Sequence, residues 1–280
     1  MIRYWSVIEI VQTGPVIQDN LFEHILFYPD RKGVALKQVQ ALIAKADPKD
    51  ATVDAIAGKS VALQGLTALE YVLYGTGSED LTKQKNSFRC LYGAAIAGNV
   101  QREAGEVVAA WEKPDGVQAS WKHPGPQSAD FMDNKEAVTA LLGILVHGAE
   151  TVRDQRLEQF YKGKDTTPRP RMAIYWRSHN TWKSMTANLE GLRTLWQKAG
   201  MAELLPADKK PIADAIDASF KSLLETVPKL NPDIEVATSA EEKAKLDALL
   251  VSTRELITKI SDDYGVAIGL SAGFSFSDGD

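Results

Sequence analysis

The sequence predicts an all-α protein built as two helical bundles, and three observations carry that expectation. Apolar residues recur at i, i+3 and i+4 along most of the chain. No alternating run of strand length competes with them. A stretch rich in Pro, Gly and Ser, Lys113 to Met132, reads as the join between two halves. The expected domains are 1–120 and 121–280. About four helices in each half are enough for a bundle.

The helices are expected at 2–13, 35–45, 60–74, 85–112, 134–161, 176–204, 210–227 and 240–264. Asp133 precedes Asn134-Lys135-Glu136, which reads as an N-cap followed by Glu at N3. Val138, Leu141, Leu142, Leu145, Ala149 and Val152 then form an apolar stripe. Asp208 and Pro211 open the helix that carries Ile212, Ile216, Phe220 and Leu223, and Pro228 stops it. Ser239 with Glu242 reads as a capping box ahead of Leu246, Leu249 and Leu250. Gly75 and Gly200 suit positions just past helix ends.

The most informative element is Ser60–Tyr74, SVALQGLTALEYVLY. Glu70 is its only ionisable group apart from two tyrosines. At about 100° per residue, Ser60, Gln64, Thr67, Glu70, Tyr71 and Tyr74 fall on one arc of roughly 120°. A helix this apolar is expected to be buried. A buried carboxylate must be paired, hydrogen-bonded, metal-bound or shifted in pKa. Glu70 is therefore either the hub of a polar site, with Thr67 and Gln64 beside it, or part of a polar seam between bundles.

Composition limits the remaining choices. The 280 residues carry a formal net charge of −5, with 44% hydrophobic and 25% charged residues. No basic block or aromatic-and-basic stripe points to nucleic acid. No stretch is long and apolar enough to span a bilayer. Met1 leads directly into MIRYWSVIEIV without the pattern of a signal peptide, so the chain is read as cytosolic or as a processed chain whose leader is missing. Cys90 is the sole cysteine, which excludes an internal disulfide, and is expected to be a packed thiol.

Two further clusters invite a functional reading. His147 and Glu150 stand at i, i+3, with Asp154 one turn on, a spacing open to a metal role or to an ion-paired face. Arg169 to Asn180 (RPRMAIYWRSHN) gathers Arg177, Ser178, His179 and Asn180 at an expected helix start, where anions are favoured. His24 and His123 have no partner at ligand spacing. Gly269-Leu270-Ser271-Ala272-Gly273 fits the G-x-S-x-G pattern formally, but no histidine follows it, so a Gly/Ser tail is expected. The chain holds no HExxH helix, P-loop or GxGxxG.

Gly65-Leu66-Thr67-Ala68-Leu69-Glu70-Tyr71 resembles the Gly-x-His-x-x-Glu signature of imelysin-like proteins. WSVIEIVQTGP from Trp5, Phe27-Tyr28-Pro29-Asp30, SVALQGL from Ser60, Arg169 to Leu192, and the closing Gly273-Phe274 with Asp278-Gly279-Asp280 resemble its predicted-lipoprotein branch. The resemblance implies two bundles side by side, with the signature helix near their interface. It also implies an exported protein, periplasmic or an outer-surface lipoprotein, found with iron-uptake systems and their partner proteins. Its leader and lipid anchor would be missing from this chain. Only Gly65 and Glu70 match the signature; Thr67 stands at its histidine and cannot supply imidazole to a metal or act as a general base.

Three readings follow. The first is a binding protein of iron acquisition, holding a metal, a metal complex or a partner at an inter-bundle cleft. Its ligand contacts would be Gln64, Gly65, Thr67, Glu70, Tyr71, Arg177 and His179. Its metal ligands would be Glu70, His147 and Glu150, with iron or another divalent cation as cofactor. The second is a metallopeptidase of the imelysin class, which needs three protein ligands and an open position. The third is a non-catalytic structural or interaction module.

Overall fold

The structure is a computed structural model that describes residues 1–17 and 20–273. Helices are the only regular secondary structure among the described residues, which contain no strand. In chain order the helices are α1 (Ile2–Ile8), α2 (Leu21–Ile25), α3 (Val34–Lys45), α4 (Val53–Ala57), α5 (Leu66–Tyr74), α6 (Asp80–Lys83) and α7 (Phe88–Glu112). There follow α8 (Val117–Lys122), α9 (Asn134–Glu150), α10 (Thr181–Lys198), α11 (Lys210–Thr226), α12 (Ile234–Ala237), α13 (Lys243–Thr258) and α14 (Gly265–Ala267). The closing Phe274 and Asp278-Gly279-Asp280 lie outside the described residues.

The chain divides into two compact units, and neither is one continuous stretch. One unit comprises Gly14–Gly116 and Ile174–Asn180. The other comprises Met1–Thr13, Val117–Ala173 and the chain from Thr181 onward. A single cut at residue 120 therefore does not describe the division. The first 13 residues join the later segment, and seven residues, 174–180, join the earlier one.

The first unit is built around α7, the longest helix. Ser87 caps its start by accepting from the Cys90 amide at 3.3 Å. Tyr92, Ile96 and Asn99 are fully buried along it. Asp30 opens α3, its two carboxylate oxygens accepting from Val34 and Leu36 amides at 2.9 and 3.1 Å. Cys90 is exposed, which corrects the packed-thiol expectation; the buried stripe of α7 takes Arg89 and Tyr92 instead.

The second unit has α10 in its core, with Trp182, Met185, Asn188, Leu192 and Trp196 buried. Helix α1 lies against it through a Ser6–Ser184 hydroxyl contact at 2.8 Å and an Asn188 amide bond to the Ser6 carbonyl at 2.6 Å. Gly191 permits this approach, because a Cβ there would strike the Val7 backbone. Beneath these contacts the Glu9 carboxylate accepts from Arg156 at 2.9 Å and from Asn188 at 2.8 Å. Asp133 caps α9 as expected, accepting from the Glu136 amide at 2.9 Å.

Several helices are shorter than their apolar patterns. The expected helix 134–161 stays α-helical to Glu150, then widens into a π turn at Thr151–Gln155. A second π turn, Lys259–Tyr264, ends α13. The expected start at 176 fails because Tyr175 and His179 take positive φ of 54°, so α10 begins at Thr181. The segment 113–132, expected to be irregular, contains α8. Helix α13 begins at Lys243, with Glu242 at the cap position where Ser239 was expected.

Candidate functional site

The Ser60–Tyr74 stretch is not one helix. A short 3₁₀ turn, Val61–Leu63, ends at Gln64, and α5 starts at Leu66 after Gly65. The break redirects half of the expected polar arc. Gln64 donates to the carbonyls of Ala57 and Lys59, at 3.2 and 2.5 Å, and accepts from Asn99 at 3.2 Å. All of its hydrogen bonding is thereby directed to its own scaffold, away from Glu70. Thr67 donates to the Phe27 carbonyl at 3.2 Å. The hydroxyl at the signature's histidine position is thus engaged with backbone.

Gly65 has a packing reason rather than a conformational one. Its φ is −101°, open to any residue. A Cβ there would lie 2.5 Å from the Ile25 carbonyl oxygen and 2.8 Å from its carbon. The signature glycine therefore lets the start of α5 press against the end of α2.

Glu70 is 5% exposed, on the buried side of α5. Its Oε1 accepts from the Ser178 amide at 3.0 Å and from the Ser178 hydroxyl at 2.8 Å. The Arg177 guanidinium stands 4.0 Å from Oε2. Burial pushes the Glu70 carboxyl above the ordinary glutamate range, while the Ser178 bonds and the nearby Arg177 pull it back. Glu70 thus holds the loop 174–180, a segment whose two positive-φ residues leave it no helical ladder of its own.

Tyr71 completes the arrangement. Its hydroxyl accepts from Gln40 at 3.1 Å. Two guanidinium carbons lie over its ring, Arg89 at 5.5 Å and Arg177 at 5.3 Å from the centroid. Arg177 also stands 4.4 Å from the centroid of Trp176. Such cation–aromatic stacking fixes the plane of a guanidinium. Arg89 is buried, and it caps the end of α5 by donating to the carbonyls of Tyr71, Val72 and Thr76 at 3.1, 2.9 and 2.9 Å. Gly75 stands just past the end of α5 as expected, with φ of −80°, and its amide also donates to the Tyr71 carbonyl at 2.8 Å.

The expected ligand set therefore separates. Glu70, Tyr71, Arg177 and His179 share α5 and the loop it holds, whereas Gln64, Gly65 and Thr67 serve the packing of α5. Within the loop, Arg177 has 21% of its side chain exposed and His179 is exposed.

The three expected metal residues are divided between the two units. His147 Nδ1 bonds Glu150 at 2.8 Å in one unit, and Glu70 bonds Ser178 in the other. Among the described residues, no three His, Cys, Asp or Glu side chains come together to hold a metal ion. Within each unit, the described donors do not fit a resident metal. His24, read as partnerless, lies 3.4 Å from the buried Glu103. Ser271 follows a short helix rather than a strand, so it has no elbow geometry.

Sequence reasoning missed Arg89, Glu9, Arg156 and Asn188. Glu9 carried the same signal as Glu70, a lone acid within the apolar run WSVIEIV. Arg89 carried none, because a side chain that caps a different helix leaves no local pattern.

A helical protein with a glycine-led helix bearing one buried carboxylate defines the class. The profile of the Imelysin family matches residues 2–260, and the chain belongs to that family. The fold is similar to the crystal structure of an imelysin-like protein from Psychrobacter arcticum 273-4. The TM-score is 0.76 at 18% identity, over 98% of this chain and 80% of the other. That likeness concerns the fold alone. No curated protein matches the sequence.

Proposed function

We propose that this chain is a non-catalytic binding protein of iron acquisition that takes iron as an anionic chelate rather than as the bare ion. One observation carries the reading: a buried Glu70 holds loop 174–180 through Ser178, and Arg177 of that loop is stacked on Tyr71 and Trp176 with part of its side chain exposed. Glu70 is the anchor of the binding loop and does not touch the ligand. The contacts are Arg177, Trp176 and His179.

The choice of a chelate follows from chemistry. A bare hard cation needs several converging oxygen or nitrogen donors, and the described residues offer no such cluster. A carboxylate chelate brings its own donors and presents an anionic rim. A guanidinium whose plane is already fixed matches that rim with little further ordering. Family membership supports the link to iron uptake and an exported setting, periplasmic or lipid-anchored at the outer surface. No helix among the described residues is long and apolar enough to cross a membrane.

Calorimetric titration with ferric citrate tests the proposal. Wild type should bind. Arg177→Ala should weaken binding by roughly tenfold or more, the scale of losing a charge-assisted contact. Casein incubated with the same protein should remain uncleaved. Absence of ferric citrate binding by wild type would overturn the reading, and so would casein cleavage that disappears in Glu70→Gln.

A further inference from the structure

A second candidate site lies wholly within the unit built on α10. A cavity of about 580 Å³ is lined by Arg153, Leu250, Val251, Arg254, Glu255, Thr258, Lys259 and Asp263. Its size falls in the usual range for small-molecule sites, roughly 300–1,000 Å³. Both π turns among the described residues contribute to it. Arg153 belongs to the turn Thr151–Gln155, and Lys259 and Asp263 belong to the turn Lys259–Tyr264. Such turns interrupt the regular ladder and gather at functional positions.

The charges favour an anion. Lys259 donates to Ser219 at 2.8 Å and lies 3.9 Å from Glu255, so the acid in the wall already has a cation beside it. Asp263 is the second acid of the lining, where Arg153, Arg254 and Lys259 outnumber the acids; Asp154, outside the lining, also interacts with both arginines. Arg153 is 8% exposed and pairs with Glu158 at 2.6 Å through Nη2. Its Nη1 is buried and meets no hydrogen-bond acceptor. Buried guanidinium donors are normally satisfied, so an acceptor is missing at this position. Leu250 and Val251 add an apolar wall, which suits an organic ligand better than an inorganic ion.

We infer that this cavity binds a small organic anion through a carboxylate or phosphate group, with Arg153 as the deep contact and Arg254 at the rim. The site is separate from loop 174–180 and does not depend on the iron reading.

Titration of the full chain with succinate and with glycerol 3-phosphate distinguishes the two head groups. At least one should bind. Arg254→Ala, an exposed substitution, should weaken that binding by roughly tenfold and leave ferric citrate binding unchanged. Arg153→Lys keeps the charge but loses the fork, and should weaken it as well. If neither probe binds wild type, or if Arg254→Ala binds both as wild type does, the inference is overturned. Should Arg153→Lys fold poorly, Arg254→Ala decides alone.

Discussion

Glu70 shows how one side chain can be conspicuous in a sequence and still have its role misread. Its isolation among Leu, Val and Ala marks it at once. Its partner does not follow from that isolation, because Ser178 lies 108 residues away on a loop with no pattern of its own. Removing the carboxylate takes the acceptor from the Ser178 amide and a nearby acid from Arg177. Glu70→Ala should therefore cost about 2–4 kcal/mol of stability, measured by chemical denaturation. Acid tells more. A carboxyl whose folded pKa is raised holds its proton longer in the folded state than in the unfolded one. Its ionisation then lowers stability as pH rises from the ordinary value of 4.5 to the raised one. Over that window wild type should lose stability relative to Glu70→Gln. A constant difference between the two melting curves across the window would refute the assignment. Gly65 makes a second prediction at this scale. Gly65→Ala should destabilise by about 1–3 kcal/mol, because backbone rather than a flexible side chain blocks the added carbon.

At the scale of elements, periodicity located the helices and misplaced their ends. It ran through Gly65 because Ser60–Tyr74 is apolar on either side of the break, and a 3₁₀ turn followed by a helix keeps nearly the same spacing. It placed a helix over 176–180 because Tyr175 and His179 give no residue-type warning of positive φ. Asp133 was legible because an N-cap bonds within four residues. The cap of α5 was not, since Arg89 reaches its carbonyls from the next long helix, 13 to 18 residues along the chain. Arg89→Ala should remove the side-chain donor from the Val72 and Thr76 carbonyls, while the Gly75 amide still serves Tyr71, and lower the melting temperature by roughly 5 °C or more. Helix content in circular dichroism should fall little, because α5 is short.

At the scale of the molecule, the all-α class was legible and the division of the chain was only half so. The break after Gly116 falls inside the Pro- and Gly-rich segment that composition singles out. The transfer of residues 1–13 and 174–180 between units left no mark in composition, because it rests on long-range polar contacts. For α1 those contacts are the Glu9–Arg156–Asn188 group and the serine pair. Glu9→Ala leaves a buried guanidinium without its carboxylate and should cost about 3–5 kcal/mol. Thermal melting checks this. A change under 1 kcal/mol, the range of exposed pairs, would show that the group does not hold α1 in place.

The measurement that tests the central claim most directly is amide hydrogen exchange at Ser178, compared between wild type and Glu70→Ala. The Ser178 amide should be protected in wild type and exchange faster in the variant, together with its neighbours in 174–180, while the amides of α5 keep their rates. Equal exchange at Ser178 in both proteins would contradict the claim that Glu70 holds the loop, and the binding role assigned to Arg177 would lose its support.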